Sequence, residues 1–192
     1  MAKRFKRPIG NKPHKKLFII STEGTKTEPE YFQHFNSEAV IQVKPLKGDN
    51  KTSPKAVLQR MERHLKNECL RKSDEAWLVI DKDEWTDDQL LDLHTWSKNN
   101  KKYGLAVSNP KFEYWLLLHF EEGTKIKSIT EVTERLKRKI PNYEKSINMK
   151  KINRAMIDKA IERAKKIDTP KCEKWPATWG STVYRLVEKI LD

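Results

Sequence analysis

Four apolar runs alternate with three helical stripes between residues 17 and 108 of this 192-residue chain, and that rhythm limits the fold more than any other feature. Leu17-Phe18-Ile19-Ile20, Val40 to Val43, Ala76 to Ile80 and Gly104 to Val107 are short, apolar and rich in β-branched residues, the pattern of strands covered on both faces. Between them lie stretches with helical spacing. Thr27-Glu28-Pro29-Glu30 predicts a helix start, with Thr27 as N-cap, Glu30 at the capping-box position and Tyr31, Phe32 and Phe35 turned inward. Ser53-Pro54 opens a second helix, with Val57, Leu58, Met61 and Leu65 as its buried stripe. A third begins near Thr86 and carries Leu90, Leu91, Leu93 and Trp96. The reading β-α-β-α-β-α-β implies a parallel sheet with helices on both faces. After it come an apolar helix over 112–120, basic amphipathic helices over 129–140 and 149–167, and a last one over 182–191. The expected organisation is a basic flexible arm at 1–16, an α/β core at 17–120 and a helical C-terminal extension at 121–192 packed on that core.

Two of the strand patterns finish in acid. The first runs into Ser21-Thr22-Glu23-Gly24 and the third into Asp81-Lys82-Asp83. Parallel strands bring their C-terminal ends to one edge of the sheet, where ligands bind. Residues two apart on an extended segment project to the same side, so Asp81 and Asp83 could reach one hard cation with Glu23. The bland alternatives are a polar turn for the Asp pair and a solvated loop position for Glu23. Thr25 and Lys26 follow Gly24 and either meet phosphate or cover the turn. Glu28 reads as a favourable charge in a first helical turn. After the fourth strand comes Ser108-Asn109-Pro110-Lys111-Phe112-Glu113, with Asn109 as expected cap and Pro110 at the first helical position. Glu113 falls one residue beyond the capping-box position. It reads equally as a ligand or base facing the Asp pair and as a charge stabilising the helix start. His119 reads as structural.

Lys plus Arg outnumber Asp plus Glu by 40 to 27, a net charge of +13, which favours polyanionic partners, nucleic acid first. Lys82, with Arg135, Lys137, Arg138, Lys139, Lys150, Lys151 and Arg154, is a candidate phosphate-tracking set, or else a solvated surface. Cys69 and Cys172 form no metal or redox pattern, so a reducing cytoplasm is expected. No apolar stretch approaches the roughly 20 residues of a membrane span, and the basic start lacks the apolar segment of a signal peptide. There is no Gly-x-x-x-x-Gly-Lys-Ser/Thr loop, so any nucleotide-driven motor is expected from another chain.

Thr22-Glu23-Gly24, Thr27-Glu28-Pro29-x-Tyr31-Phe32, Thr52-Ser53-Pro54, Asp81-Lys82-Asp83-Glu84-Trp85 and Ser108-Asn109-Pro110-x-Phe112-Glu113-x-Trp115-Leu116-Leu117-Leu118-His119-Phe120 occur in that order, followed by Ser181-Thr182-Val183 and Leu186-Val187. Together they resemble the RloB family, related to the second component of the AbiL abortive-infection system. The resemblance implies a Toprim-like fold: a parallel sheet flanked by helices, with Glu23 after the first strand and Asp81 and Asp83 after the third. It also implies Mg²⁺ (or Mn²⁺) held by those acids, phosphoryl-transfer chemistry on RNA or DNA, and a partner ATPase of AAA or ABC type encoded nearby, in antiphage defence. The expected function is a metal-dependent nuclease with Glu23, Asp81, Asp83, Glu113 and Lys26 as its working residues. The alternative is a non-catalytic module that binds nucleic acid or senses phage and regulates the ATPase. A third reading is an enzyme acting on a small phosphate ester. The sequence leaves a homo-oligomer open.

Overall fold

A computed structural model describes residues 15–37, 40–48, 53–83, 85–141, 143 and 149–192. The basic arm, save Lys15 and Lys16, lies outside the described residues, as do Thr52 and Glu84 of the motifs above and the side chain of Lys150.

The strands fall where continuous apolar sequence puts them. They are β1 (Lys16–Thr22), β2 (Ile41–Pro45), β3 (Glu75–Asp81) and β4 (Tyr103–Asn109), mutually parallel, in the order β2-β1-β3-β4. A two-residue strand, β5 (Gly180–Ser181), adds antiparallel to the end of β4 and completes a five-stranded sheet. This is the α/β architecture expected of the sequence; β5 is the addition, too short to leave a pattern.

Side chains alternate across the sheet. Phe18, Ile20, Trp77, Val79 and Ala106 face one side, where they meet α1 (Thr27–Gln33), α4 (Phe112–Leu117), α5 (Ile129–Lys139), α6 (Arg154–Ile167) and α7 (Val183–Leu191) through Tyr31, Phe32, Trp115, Leu136, Ala160 and Leu186. Ile19, Ala76, Leu78, Ile80 and Val107 face the other, against Val57 and Met61 of α2 (Pro54–Asn67) and Leu90, Leu93 and Trp96 of α3 (Asp87–Lys98). Leu91, on the same helix, is 42% exposed.

Several helix starts differ from expectation. Ser53 and Thr86 cap the two helices expected to begin there, the latter in a full capping box with Gln89. α1 instead has Lys26 at its N-cap with no side-chain bond, and Thr27 is already helical and buried. Asn109 does not cap α4, because it belongs to β4, opposite Gly180, and its side-chain amide donates to Pro176 O (2.9 Å); Lys111 takes the cap position. α4 ends at Leu117, short of Phe120. The expected helix over 149–167 is split. Met149–Lys151 is a 3₁₀ turn, and Asn153 accepts the Met156 N–H (3.0 Å) and starts α6 afresh.

His119 is structural. Its Nδ1 faces the Trp115 and Leu116 carbonyls (3.1 and 3.2 Å), which only accept, so Nδ1 carries the proton and Nε2 accepts from Tyr31 OH (3.2 Å). Burial lowers its pKa to about 4 and keeps the ring neutral.

Candidate carboxylate site

The C-terminal edge of the sheet gathers the acids. Glu23 follows β1, and its backbone N–H donates to Val79 O of β3 (3.1 Å), so β1 and β3 end side by side. The loop after β3 is fastened to the β4–α4 turn: Lys82 N–H donates to Ser108 O (2.9 Å), and Asp83 N–H to Pro110 O (2.9 Å). That fastening brings the Asp81 loop against the start of α4, where Glu113 stands in the first turn.

One cavity of about 320 Å³ results, lined by Glu23, Gly24, Thr25, Lys26, Thr27, Glu28, Asp81, Phe112 and Glu113. Four carboxylates share its wall. Glu23 accepts the Asp81 N–H (3.2 Å) and the Trp85 indole N–H (3.1 and 3.3 Å to its two oxygens). Glu28, nearly fully buried, accepts the Gly24 N–H (2.8 Å). Glu113 accepts from the phenol of buried Tyr143 (3.2 Å), which reaches in from the sequence beyond α5.

Burial and mutual repulsion raise the pKa of two of these acids, Glu23 and Asp81. Glu23 is pushed up to about 7, first by burial and then by the charges of Asp83 and Glu28, against the opposing pull of its two hydrogen bonds. Asp81 is raised well above the ordinary carboxylate range by burial and by Glu28, Glu23, Glu113 and Asp83. Strongly raised acids in a cleft mark a functional-site candidate.

The structure brings Glu23, Asp81, Glu113 and Lys26 together in one cavity wall. Asp83 is exposed and lines no part of the cavity, though its charge reaches Glu23 and Asp81. Lys82 turns away and pairs with Asp87 (2.7 Å). Arg135 is engaged by Glu121, Glu131 and the Thr124 and Lys125 carbonyls. Lys137, Arg138 and Lys151 are exposed and outside the cavity wall.

Two members were missed. Glu28 passes in the sequence for a helix-start charge; the usable signal was Gly24 four residues earlier, a backbone able to accept a carboxylate at close range. Tyr143 gave no local signal, because its partner lies 30 residues away in the chain. A Cβ at Gly24 would overlap the Glu28 carboxylate, so any side chain there must push Glu28 out of its place. Gly24→Ala should therefore displace Glu28 and cost about 1–3 kcal/mol in urea unfolding; a variant as stable as the parent would show that Glu28 is not held there.

The donor set fits a hard divalent ion in kind, since it consists of carboxylate oxygens whose repulsion a cation would relieve. Its present arrangement is not a finished cage. Each of Glu23, Glu28 and Glu113 is turned to a protein donor, and no group of three or more His, Cys, Asp or Glu among the described residues is already disposed to hold an ion.

The fold and this edge define an α/β protein with an acid-lined pocket at the C-terminal ends of parallel strands. The family model for RloB-like protein matches residues 18–190, and the chain belongs to that family. No curated protein and no solved structure matches it. Among the described residues no helix is long and apolar enough to cross a membrane.

Proposed function

We propose that this RloB-like protein is a Mg²⁺-dependent nuclease, with a Toprim-like core, that acts as an effector of bacterial antiphage defence beside a partner ATPase supplied by another chain. The observation that carries the chemistry is the convergence of Glu23, Asp81 and Glu113, with Glu28, on one cavity from three separate β-α turns. Membership of the RloB-like family supports the defence setting.

Glu23 and Asp81 would hold the ion, with Asp83, outside the cavity wall, adding its negative charge to the site. A bound divalent ion supplies Lewis-acid polarisation of a phosphate and a lowered pKa for an attacking water. The protein does the rest. Glu113, oriented by the Tyr143 phenol, faces the cavity as the group that orients water and takes its proton. Lys26 brings a positive charge to the cavity wall, where it offsets charge developing on the phosphate. The Asp81 N–H and the Trp85 indole fix the Glu23 side chain before any ligand arrives.

A second reading has its own observation. The hydrogen bonds that occupy Glu23, Glu28 and Glu113 would also suit acids that only brace the loops of a non-catalytic module regulating the ATPase. Incubating the purified protein, with and without the neighbouring ATPase, with total RNA and with plasmid DNA separates the two. The nuclease reading expects cleavage of one substrate in Mg²⁺ and none in EDTA. Intact substrates in every arm would leave the regulatory module.

A further inference from the structure

A second cavity, of opposite charge, adjoins the carboxylate pocket on the side of β2 and α2. It is an open depression of about 250 Å³, lined by Leu46, Lys47, Arg60, Arg63, His64 and Asn67, with no carboxylate in its wall. Glu68 stands outside that wall, paired to Lys44 (2.7 Å) and His64 (3.3 Å). Lys47 and Arg63 are exposed, whereas Arg60 is buried.

The two cavities are built on the same strand ends. The Leu46 N–H donates to Ile20 O (2.7 Å), which sets Lys47 and Gly48 beside the end of β1. Gly48 presses on Thr25 so closely that a Cβ built on it would lie 2.8 Å from Thr25 Cγ2, and Thr25 lines the carboxylate pocket. From α2, Arg60 Nη1 donates to Thr22 O (2.9 Å), the residue before Glu23. Thr25 and the Thr22–Glu23 peptide thus stand between Lys47 and Arg60 on one side and the four acids, with Lys26 beside them, on the other.

A pocket of carboxylates repels a polyanion, so a phosphodiester strand needs attraction from elsewhere to enter it. A seat for one phosphate next to the acids supplies that attraction and fixes which phosphate reaches them. We propose that the Lys47–Arg60–Arg63 cavity seats a backbone phosphate of a polynucleotide, with a nearby phosphate of the same strand directed to the carboxylate pocket. This inference rests on the nuclease reading for the second phosphate; the seat itself is a binding claim and is measured without cleavage.

The test is fluorescence anisotropy with a labelled single-stranded oligonucleotide in EDTA, over about 50 to 200 mM salt. The Lys47→Ala/Arg63→Ala variant changes two exposed residues, so the fold is kept. Losing the seat for one phosphate should weaken binding by about tenfold or more and flatten the slope of log K against log salt by about 0.7. Lys98→Ala/Lys101→Ala removes the same charge at the opposite, N-terminal edge of the sheet and should leave the slope as in the parent. A free mononucleotide or inorganic phosphate in excess should compete weakly; if either competes as well as unlabelled oligonucleotide, the seat takes small phosphates and the strand proposal is overturned. An unchanged slope in Lys47→Ala/Arg63→Ala, an equal loss in the control pair, or a parent that binds no oligonucleotide would also overturn it. Binding that behaves as expected in a protein that never cleaves would leave the seat standing and remove the nuclease reading.

Discussion

Asp81→Asn is expected to make the metal-free protein more stable while removing its Mg²⁺-dependent cleavage. Asp81 ends β3 beside Glu23 and faces the charges of Glu28, Glu113 and Asp83, all of which oppose its ionisation. An Asn side chain keeps the size and shape and carries no charge, so the repulsion goes and the packing stays. The gain should be about 1–2 kcal/mol in urea unfolding in EDTA near neutral pH. The same change deletes a carboxylate that a cation needs, and cleavage should fall by about 10²-fold or more. Opposite signs are the diagnostic. An acid kept only to brace loops would lose stability on substitution, and a variant that is both less stable and fully active would contradict the assignment.

The second large effect is on pH. The folded-state pKa of Glu23, about 7, lies above its ordinary 4.5, so the folded chain keeps a proton that the unfolded chain releases. Stability from this group is fully present below about pH 4.5 and is lost as pH rises through about 7. The loss amounts to about 3 kcal/mol, and Asp81, raised for the same reasons, adds in the same direction. Urea unfolding of the metal-free parent at about pH 5 and about pH 8 should show the decline. Glu23→Gln, whose amide oxygen can still accept from the Asp81 N–H, should show a decline smaller by about that amount. Identical pH dependence in parent and variant would mean that Glu23 is not held protonated by its surroundings.

The fold was legible where burial writes directly into sequence. Central parallel strands are covered on both faces, so Leu17–Ile20 and Ala76–Ile80 are uninterrupted apolar runs, and the acids just after them are visible by position alone. Features made by distant parts of the chain left no local pattern. β5 is two residues, Gly180 and Ser181, placed by the ladder to β4 rather than by any pattern of their own. Asn109 looks like a cap because Asn before Pro often is one; the extra strand claimed it first. Arg60 sits on α2 at helical spacing and passes for part of a polar face, yet it is buried against the end of β1. Arg135 reads as one of a basic series, whereas Glu121 and Glu131 fix it in place. Within the site, Glu23, Asp81 and Glu113 could be chosen from their strand and helix ends, but Glu28 and Tyr143 appear only once Gly24 and Glu113 have been placed beside them.

Thermal unfolding in Mn²⁺ or Mg²⁺ at about pH 8, with the parent and the Glu23→Gln/Asp81→Asn double variant side by side, addresses the central claim most directly. If these acids form a cation site, ion at about 100 times its Kd should stabilise the parent by about 2.7 kcal/mol and leave the double variant unmoved. A parent whose unfolding temperature ignores both ions, or a double variant that shifts as far as the parent, would contradict it.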